Sequence, residues 1–232
     1  MDACSDELEL LVYNETDDEG LIDRLRARID KLFGPRAAFP EEIQLSEFIS
    51  RTIERLRPKF AHRRCKLVTH FDSNQLVWIP AEVLSKIAEG LIRNAFENTP
   101  DGSRIHVTVR DGHDGPVLEI EDFGIGISKE NQRLIFESYF TVDEAMLYST
   151  RKPYDFGAGG RGFDLLRMKI FSERYHFKIR LDSQRCHYLS QDREICPGAV
   201  TDCRNCQNDE DCRCSGRTTV SVDFLPSDEL MI

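Results

Sequence analysis

At 232 residues, the chain is long enough for one sizeable domain plus a smaller piece. Apolar residues at 40% and charged residues at 31% fit a soluble globular protein, and a net charge of −10 argues against nonspecific nucleic-acid binding while leaving room for a locally polarised nucleotide site. No run approaches the roughly 18 apolar residues that a bilayer span needs, and residues 1–7 lack the basic and apolar regions of a signal peptide, so the expectation is a cytoplasmic chain, or a soluble fragment of a larger one, with no membrane contact of its own.

Residues 1–36 are acidic, then amphipathic. Leu21, Ile22, Leu25, Ile29 and Leu32 recur at helical spacing until Gly34-Pro35 stops the pattern. This helix, over about 19–33, should pack on a partner helix, in a second copy of the chain for instance. After a polar linker at Pro40-Glu-Glu, the apolar residues Leu45, Phe48, Ile49, Ile53, Leu56 and Phe60 predict a helix over 45–64. Ser46 or Ser50 is its candidate start signal, and Pro58 should kink or locally break it. Short strands follow at 65–71 and 76–79. Pro80 then opens a long helix that ends near Asn98, with Val83, Leu84, Ile87, Leu91, Ile92 and Ala95 on its apolar face.

Two strands come next, 104–110 and 116–121. The second runs into Glu121-Asp-Phe-Gly-Ile-Gly126 and Ile127. One acid followed by two glycines at alternate positions suits an ordinary turn, and it also lets the backbone come close to a ligand. Ser128 caps a short helix over 129–136, with Asn131 at the capping-box position. Residues 137–157 show no period and read as a long loop, of the length that is usually functional or disordered. Gly157-Ala-Gly-Gly-Arg-Gly162 ends the loop and opens a helix over 163–175. Strands at 177–182 and 218–224 flank a cysteine-rich segment that reads as an insertion into a hairpin.

Three polar features therefore stand in order. Asn94, Glu97 and Asn98 share one face of the long helix, and Glu89 precedes them. A hydrated Mg²⁺, which prefers oxygen ligands and substrate phosphates, is a suitable partner for that face. Asp122 offers a carboxylate that an adenine amino group could reach in a dry pocket. The glycine loop at 157–162 presents free N–H groups at a helix start, where anions are stabilised, and Arg161 adds a positive charge.

In sequence and order these features resemble the histidine-kinase branch of the superfamily that includes gyrase-type ATPases and heat-shock chaperones. Asn94-Ala-Phe-Glu-Asn-Thr-Pro-Asp-Gly102 resembles its asparagine box, and Asp122-Phe-Gly-Ile-Gly-Ile127 its first glycine box. Ile135-Phe-Glu-Ser-Tyr-Phe140 resembles its phenylalanine box, and Ala158-Gly-Gly-Arg-Gly-Phe163 its second glycine box. The resemblance covers about residues 40–225.

It implies an α+β fold, a two-layer α/β sandwich with a mixed sheet packed on helices, and ATP bound under a mobile lid over 137–158. Asn94 would hold Mg²⁺, with Asn98 beside it. Asp122 would bind the adenine amino group, and Gly124, Gly126 and Ile127 would bring the backbone to the base. Gly159, Gly160, Arg161, Gly162 and Phe163 would surround the phosphates, with Lys152 as a further cation. Asn94 and Glu89 are the candidate catalytic residues. The sequence departs from the pattern at Gly90, where Asn or an acid is usual, at Glu97, where a base is frequent, and at Arg161, where leucine is usual.

The domain reading is a helical segment at 1–38 that could be the tail of a dimerisation domain, a catalytic domain at 39–186 and 217–232, and a cysteine-rich insertion at 187–216. A kinase of this branch transfers the γ-phosphoryl of ATP to a histidine on a dimerisation domain, and then serves a response regulator. None of the six histidines lies in the expected helical acceptor context, so the chain should bind ATP but not phosphorylate itself. Two other readings are an ATPase or protein-serine kinase of the same fold, and a degenerate nucleotide-binding interaction module. Six of the eight cysteines fall within 186–214. Cys196, Cys203, Cys206 and Cys212 are the candidate ligands of a structural zinc, an iron–sulfur cluster being the alternative. Cys214 or Cys186 could substitute for one of the four.

Overall fold

The computed structural model describes residues 39–132, 152–158, 163–189 and 195–226. The expected helix at 19–33, the phenylalanine box, most of the lid and glycines 159, 160 and 162 with Arg161 lie outside these residues.

A short strand β1 (Glu41–Gln44) occupies the stretch expected to be a polar linker, and it pairs antiparallel with β3 (Leu76–Ile79). Its last residue starts the first helix, α1 (Leu45–Phe60). The Gln44 side chain accepts a hydrogen bond from Glu47 N at 2.5 Å, the role assigned in the sequence to Ser46 or Ser50. Ser46 is instead buried and donates to Ser73 O at 2.6 Å. Pro58 lies within α1, which ends two residues later. Proline cannot donate to the preceding turn, but this close to a helix end little of the hydrogen-bond ladder remains to be lost.

The main sheet has five strands in the order β2-β4-β5-β7-β6. These are β2 (Lys66–Phe71), β4 (Arg104–Asp111), β5 (Pro116–Asp122), β6 (Lys178–Gln184) and β7 (Arg217–Asp223). Only β2 and β4 run parallel, so the sheet is mixed. In β4 the buried positions Ile105, Val107 and Val109 alternate with His106, Thr108 and Arg110. That period of two assigns one sheet face to the core and the other to a polar surface.

Helix α2 (Ala81–Asn98) runs through the core beside α1 and the last long helix, α4 (Phe163–Tyr175). Its Val83, Leu84, Ile87, Leu91, Ile92 and Ala95 are all buried, as their spacing requires. The short helix α3 (Lys129–Gln132) begins at Ser128, whose Oγ accepts from Asn131 N at 3.4 Å. The insertion carries a single turn of 3₁₀ helix at Val200–Asp202 and a short helix α5 (Asp209–Arg213), both absent from the sequence reading. Among the described residues no helix is long and apolar enough to cross a membrane.

Candidate functional site

Strand β5 carries Asp122 to the edge of the buried sheet face, where it is registered against Ile105 of β4 and Thr218 of β7. Only 6% of the residue is exposed. The Gly124 backbone N–H donates to its carboxylate, yet Oδ1 has no hydrogen-bond partner. Burial raises its pKa well above the usual carboxylate range, against the stabilising Gly124 N–H and with the help of the neighbouring Glu121 charge. A buried acceptor without a partner costs free energy, which a donor from outside the chain would relieve.

The turn that follows is tied on every side. Phe123 N donates to Arg104 O, Ile125 N to Asn98 O, and Ile127 N to Ser183 Oγ at 2.9 Å. Ser103 Oγ donates to Phe123 O at 2.7 Å, and Gln132 Nε2 reaches both Ile127 O and Ser183 O. The two glycines owe their identity to this packing. A Cβ on Gly124 would stand 2.0 Å from Asn98 O. Gly126 adopts φ +62°, and a Cβ there would stand 2.0 Å from Gln184 O. The close approach that the sequence suggested is therefore made, at least in part, to the chain's own backbone.

On α2, Asn94 is half-buried and shares its face with Asn98, whose Nδ2 donates back to Asn94 O at 2.8 Å. Glu89 belongs elsewhere. Its carboxylate turns to α1, 2.7 Å from Lys59 Nζ and 3.4 Å from Arg55 Nη1. Partial burial opposes its ionisation, but the two cations outweigh that and hold its pKa below the ordinary value. The structure thus does not bring Glu89 together with Asn94, and the candidate base is engaged as an ion pair between helices. The reason is geometric: five residues along a helix turn a side chain well away from the first.

Glu97, one of the three departures from the family pattern, roots the segment that enters the expected lid. Its carboxylate accepts from Tyr154 N at 3.1 Å, and its backbone carbonyl accepts from Gly157 N at 2.7 Å. Arg93 Nε lies 3.8 Å from the carboxylate. Burial raises the Glu97 pKa, against the Tyr154 N–H and the charges of Arg93 and Arg63. Lys152 is exposed, and its backbone N–H donates to Asp155 Oδ2.

Sequence reasoning missed Arg63 altogether. Its guanidinium, with only 4% of the side chain exposed, donates to Phe96 O, Tyr154 O and Thr99 O at 2.6–2.7 Å. It also pairs with Asp101 Oδ1 at 2.8 Å. It therefore binds the end of α1, the carboxyl end of α2 and the lid root into one knot. No periodic signal marks a residue beyond a helix end; only its position beside Arg64 in a turn hints at a role. Next to it, His62 Nε2 lies 2.7 Å from Asp155 Oδ1. Phe60 stacks on Phe96 at 4.2 Å, and the ring of Tyr154 packs against both. Phe163, the last residue of the second glycine box, opens α4, matching the helix expected over 163–175.

The insertion packs behind the turn. Cys186 N donates to Ile125 O, and Asp101 exchanges backbone bonds with Gly198 and Val200. A cavity of about 360 Å³ lies between them, lined by Gly124 and Ile125 on one side and by Cys186, Cys196, Cys203, Cys206 and Cys212 on the other. All five are free thiols. Among the described residues, however, no three His, Cys, Asp or Glu side chains are drawn together as a metal site, so the expected zinc on Cys196, Cys203, Cys206 and Cys212 has no ready-made cage. Physically, the lining of a cavity holds its sulfurs apart across the space between them.

Comparison with known proteins places these elements. Residues 81–228 match the model of the family described as histidine kinase-, DNA gyrase B- and HSP90-like ATPase. The chain is 24% identical over 144 residues to the sensor-like histidine kinase SenX3 of Mycolicibacterium smegmatis, covering 62% of this chain and 35% of that one. It is 35% identical over 104 residues to the signal transduction histidine-protein kinase/phosphatase MprB of Mycobacterium leprae, covering 43% of this chain and 19% of that one. The chain thus spans well under half the length of these relatives. The solved structure of mycobacterial sensor histidine kinase MprB superposes with a TM-score of 0.54 at 20% identity, over 81% of this chain and 97% of that one. At that identity the likeness shows the fold.

Proposed function

The chain belongs to the histidine kinase-, DNA gyrase B- and HSP90-like ATPase family, and from that premise we propose that it is the ATP-binding catalytic part of a sensor histidine kinase. The single observation that carries this reading is the buried, unpartnered Oδ1 of Asp122 beside the Gly124 N–H. Together they offer one acceptor and one anchored loop, in a desolvated setting, to the exocyclic amino group of adenine. Gly126 and Ile127 complete the floor under the base.

Asn94 offers a hard amide oxygen, which fits a Mg²⁺ that keeps several of its waters and takes the rest of its ligands from phosphate oxygens. When bound, that ion neutralises charge on the phosphates. Asn98 holds the helix end to the adenine turn, and its side chain stands next to Asn94. The phosphates fall to the second glycine box, with Gly159, Gly160, Arg161, Gly162 and Phe163, and Lys152 stands at the lid root. Glu89 has no catalytic part in this reading, because Lys59 and Arg55 occupy it.

The γ-phosphoryl goes to a histidine outside these 232 residues, on a dimerisation domain, and from there to a response regulator. Pairing through the helix expected at 19–33 would supply a homodimer. The chain works on the cytoplasmic side, where ATP is available.

Calorimetry with a nonhydrolysable ATP analogue and Mg²⁺ tests the pocket: binding is expected, and its absence overturns the reading. Incubation with labelled ATP tests the acceptor. Acid-labile phosphate should appear on an added dimerisation domain and not on this chain alone; label on the isolated chain would refute the missing-acceptor assignment.

A further inference from the structure

Tyr154 stands in a backbone conformation that its residue type disfavours. Its φ is +73°, in the left-handed region where a Cβ crowds the neighbouring carbonyl. Such a residue persists only where its surroundings over-determine it. Here they do. The Tyr154 N–H donates to Glu97 Oε1 at 3.1 Å, and its carbonyl accepts from Arg63 Nη1 at 2.6 Å. Its ring centre lies 6.0 Å from that of Phe60 and 6.2 Å from that of Phe96, and only 3% of the residue is exposed. The hydroxyl has no hydrogen-bond partner, and burial pushes its pKa up to about 12, so it stays uncharged. The residue is thus held by its ring and its backbone, and its hydroxyl adds no bond. Glycine would take the same φ without strain, so the ring is what a tyrosine supplies here and glycine could not.

The ties continue along the chain. His62 Nε2 lies 2.7 Å from Asp155 Oδ1, and a Cβ added to Gly198 would come within 2.8 Å of the Phe156 ring. Gly157 N donates to Glu97 O at 2.7 Å, and Ala158 N to Asp155 O at 3.1 Å. Ala158 is the first residue of the second glycine box and is buried. Glu97, which takes two of these bonds, sits between Asn94 and Asn98 on α2. The turn after β5 is tied instead to Arg104, Asn98 and Ser183. The two glycine boxes are therefore anchored on different residues.

We propose that Tyr154 is a positioning residue: its ring, packed on Phe60 and Phe96, fixes where the second glycine box starts relative to the Asn94 helix, and so sets affinity for the phosphates of ATP but not for its adenosine half. The affinity half rests on the nucleotide reading above. Without the ring, two backbone bonds must hold a strained residue unaided, and the segment samples other conformations. Nucleotide then meets the start of the box in place in only a fraction of the molecules, and apparent affinity falls by that fraction.

The test uses the full chain. Tyr154→Ala should speed amide hydrogen exchange at Gly157 and Ala158 and leave Ile125 and Ile127 as they are. Its affinity for a nonhydrolysable ATP analogue with Mg²⁺ should fall about tenfold, as expected if one molecule in about ten keeps the start of the box in place. Affinity for adenosine, read by ligand-observed NMR, should stay at the wild-type value. Tyr154→Phe should match wild type in all three measurements, because it deletes a hydroxyl without a partner. Should Tyr154→Ala fail to fold, Tyr154→Leu, which keeps apolar volume but no ring, carries the same comparison. Unchanged exchange at Gly157 and Ala158, or a Tyr154→Phe variant as impaired as Tyr154→Ala, overturns the positioning role. Faster exchange with equal losses for analogue and adenosine, or with no loss for either, overturns the phosphate role. A wild-type chain that binds neither ligand overturns the nucleotide reading, and amide exchange still decides whether Tyr154 positions the segment.

Discussion

Two buried carboxylates, Glu97 on α2 and Asp122 at the end of β5, stand in opposite situations. At the lid root, Glu97 is satisfied by the chain: Tyr154 N–H on its oxygen, Arg93 within 3.8 Å, and Arg63 close by. At the turn after β5, Asp122 keeps one oxygen without a partner. Burial raises the pKa of both. The difference is what offsets it. Glu97 is compensated from inside, as expected of a structural tie. Asp122 lacks such compensation from the chain, as the proposed binding role requires, and the ligand-free fold carries the cost.

The largest expected effect tests whether the lid root is the structural member of the pair. Arg63→Ala removes a buried guanidinium and takes one donor from each of Asp101 and three carbonyls. Loss of one partner of a buried pair costs about 3–5 kcal/mol. Urea unfolding should show a loss of that order; a change near zero would mean that the knot is dispensable.

Next comes the binding member. Asp122→Asn should weaken binding of an ATP analogue by about 1–3 kcal/mol, since a charged hydrogen bond to the base is lost. The same substitution should stabilise the ligand-free chain at neutral pH. The sign follows from the raised pKa. A carboxyl whose folded value exceeds its ordinary 3.8 contributes its full stability below 3.8, and loses it as pH rises through the folded value. The difference in stability between variant and wild type should therefore grow with pH across that window. Lower stability at neutral pH together with unchanged affinity would erase the contrast with Glu97.

Glu97→Gln should do less. An oxygen remains for the Tyr154 N–H, the attraction to Arg93 is lost, and the cost of burying a charge is relieved, so the net loss should be about 1 kcal/mol. Nucleotide affinity should fall less than for Asp122→Asn; a larger fall would move Glu97 into the binding site.

How much of this contrast could be read in advance depends on the range of the interactions. Asp122, the helix of Asn94 and the long apolar faces follow from local period and turn chemistry, and the structure has them where the pattern put them. Helix α2 and strand β3 were legible because their apolar spacing is unbroken. Strand β1 was not, because Glu41, Glu42 and Gln44 carry no apolar alternation and pair only through their backbone with β3. Arg63 escaped for the same reason: its partners lie 33 to 91 positions away in the chain. The pairing of Glu89 with Lys59 and Arg55 also depends on which face of α2 meets α1, and no single helix reveals that.

The smallest expected effect probes the rim of the lid root, where the same chemistry is exposed. Asp155 accepts from His62 Nε2 at 2.7 Å and from Lys152 N at 3.1 Å. Slight desolvation works against its ionised form, but these two bonds outweigh it and lower its pKa. The sign is thus opposite to that of Asp122: the stability it contributes is present above its ordinary 3.8 and is lost as pH falls through the lower folded value. Both partners are open to water, with 48% and 33% of their side chains exposed, so solvent screens the pair. Asp155→Asn should cost about 0.2–1 kcal/mol at neutral pH, read by thermal unfolding, and almost nothing in strong acid. A cost as large as that of Arg63→Ala would show that the rim, and not the buried guanidinium, holds the lid root to α2.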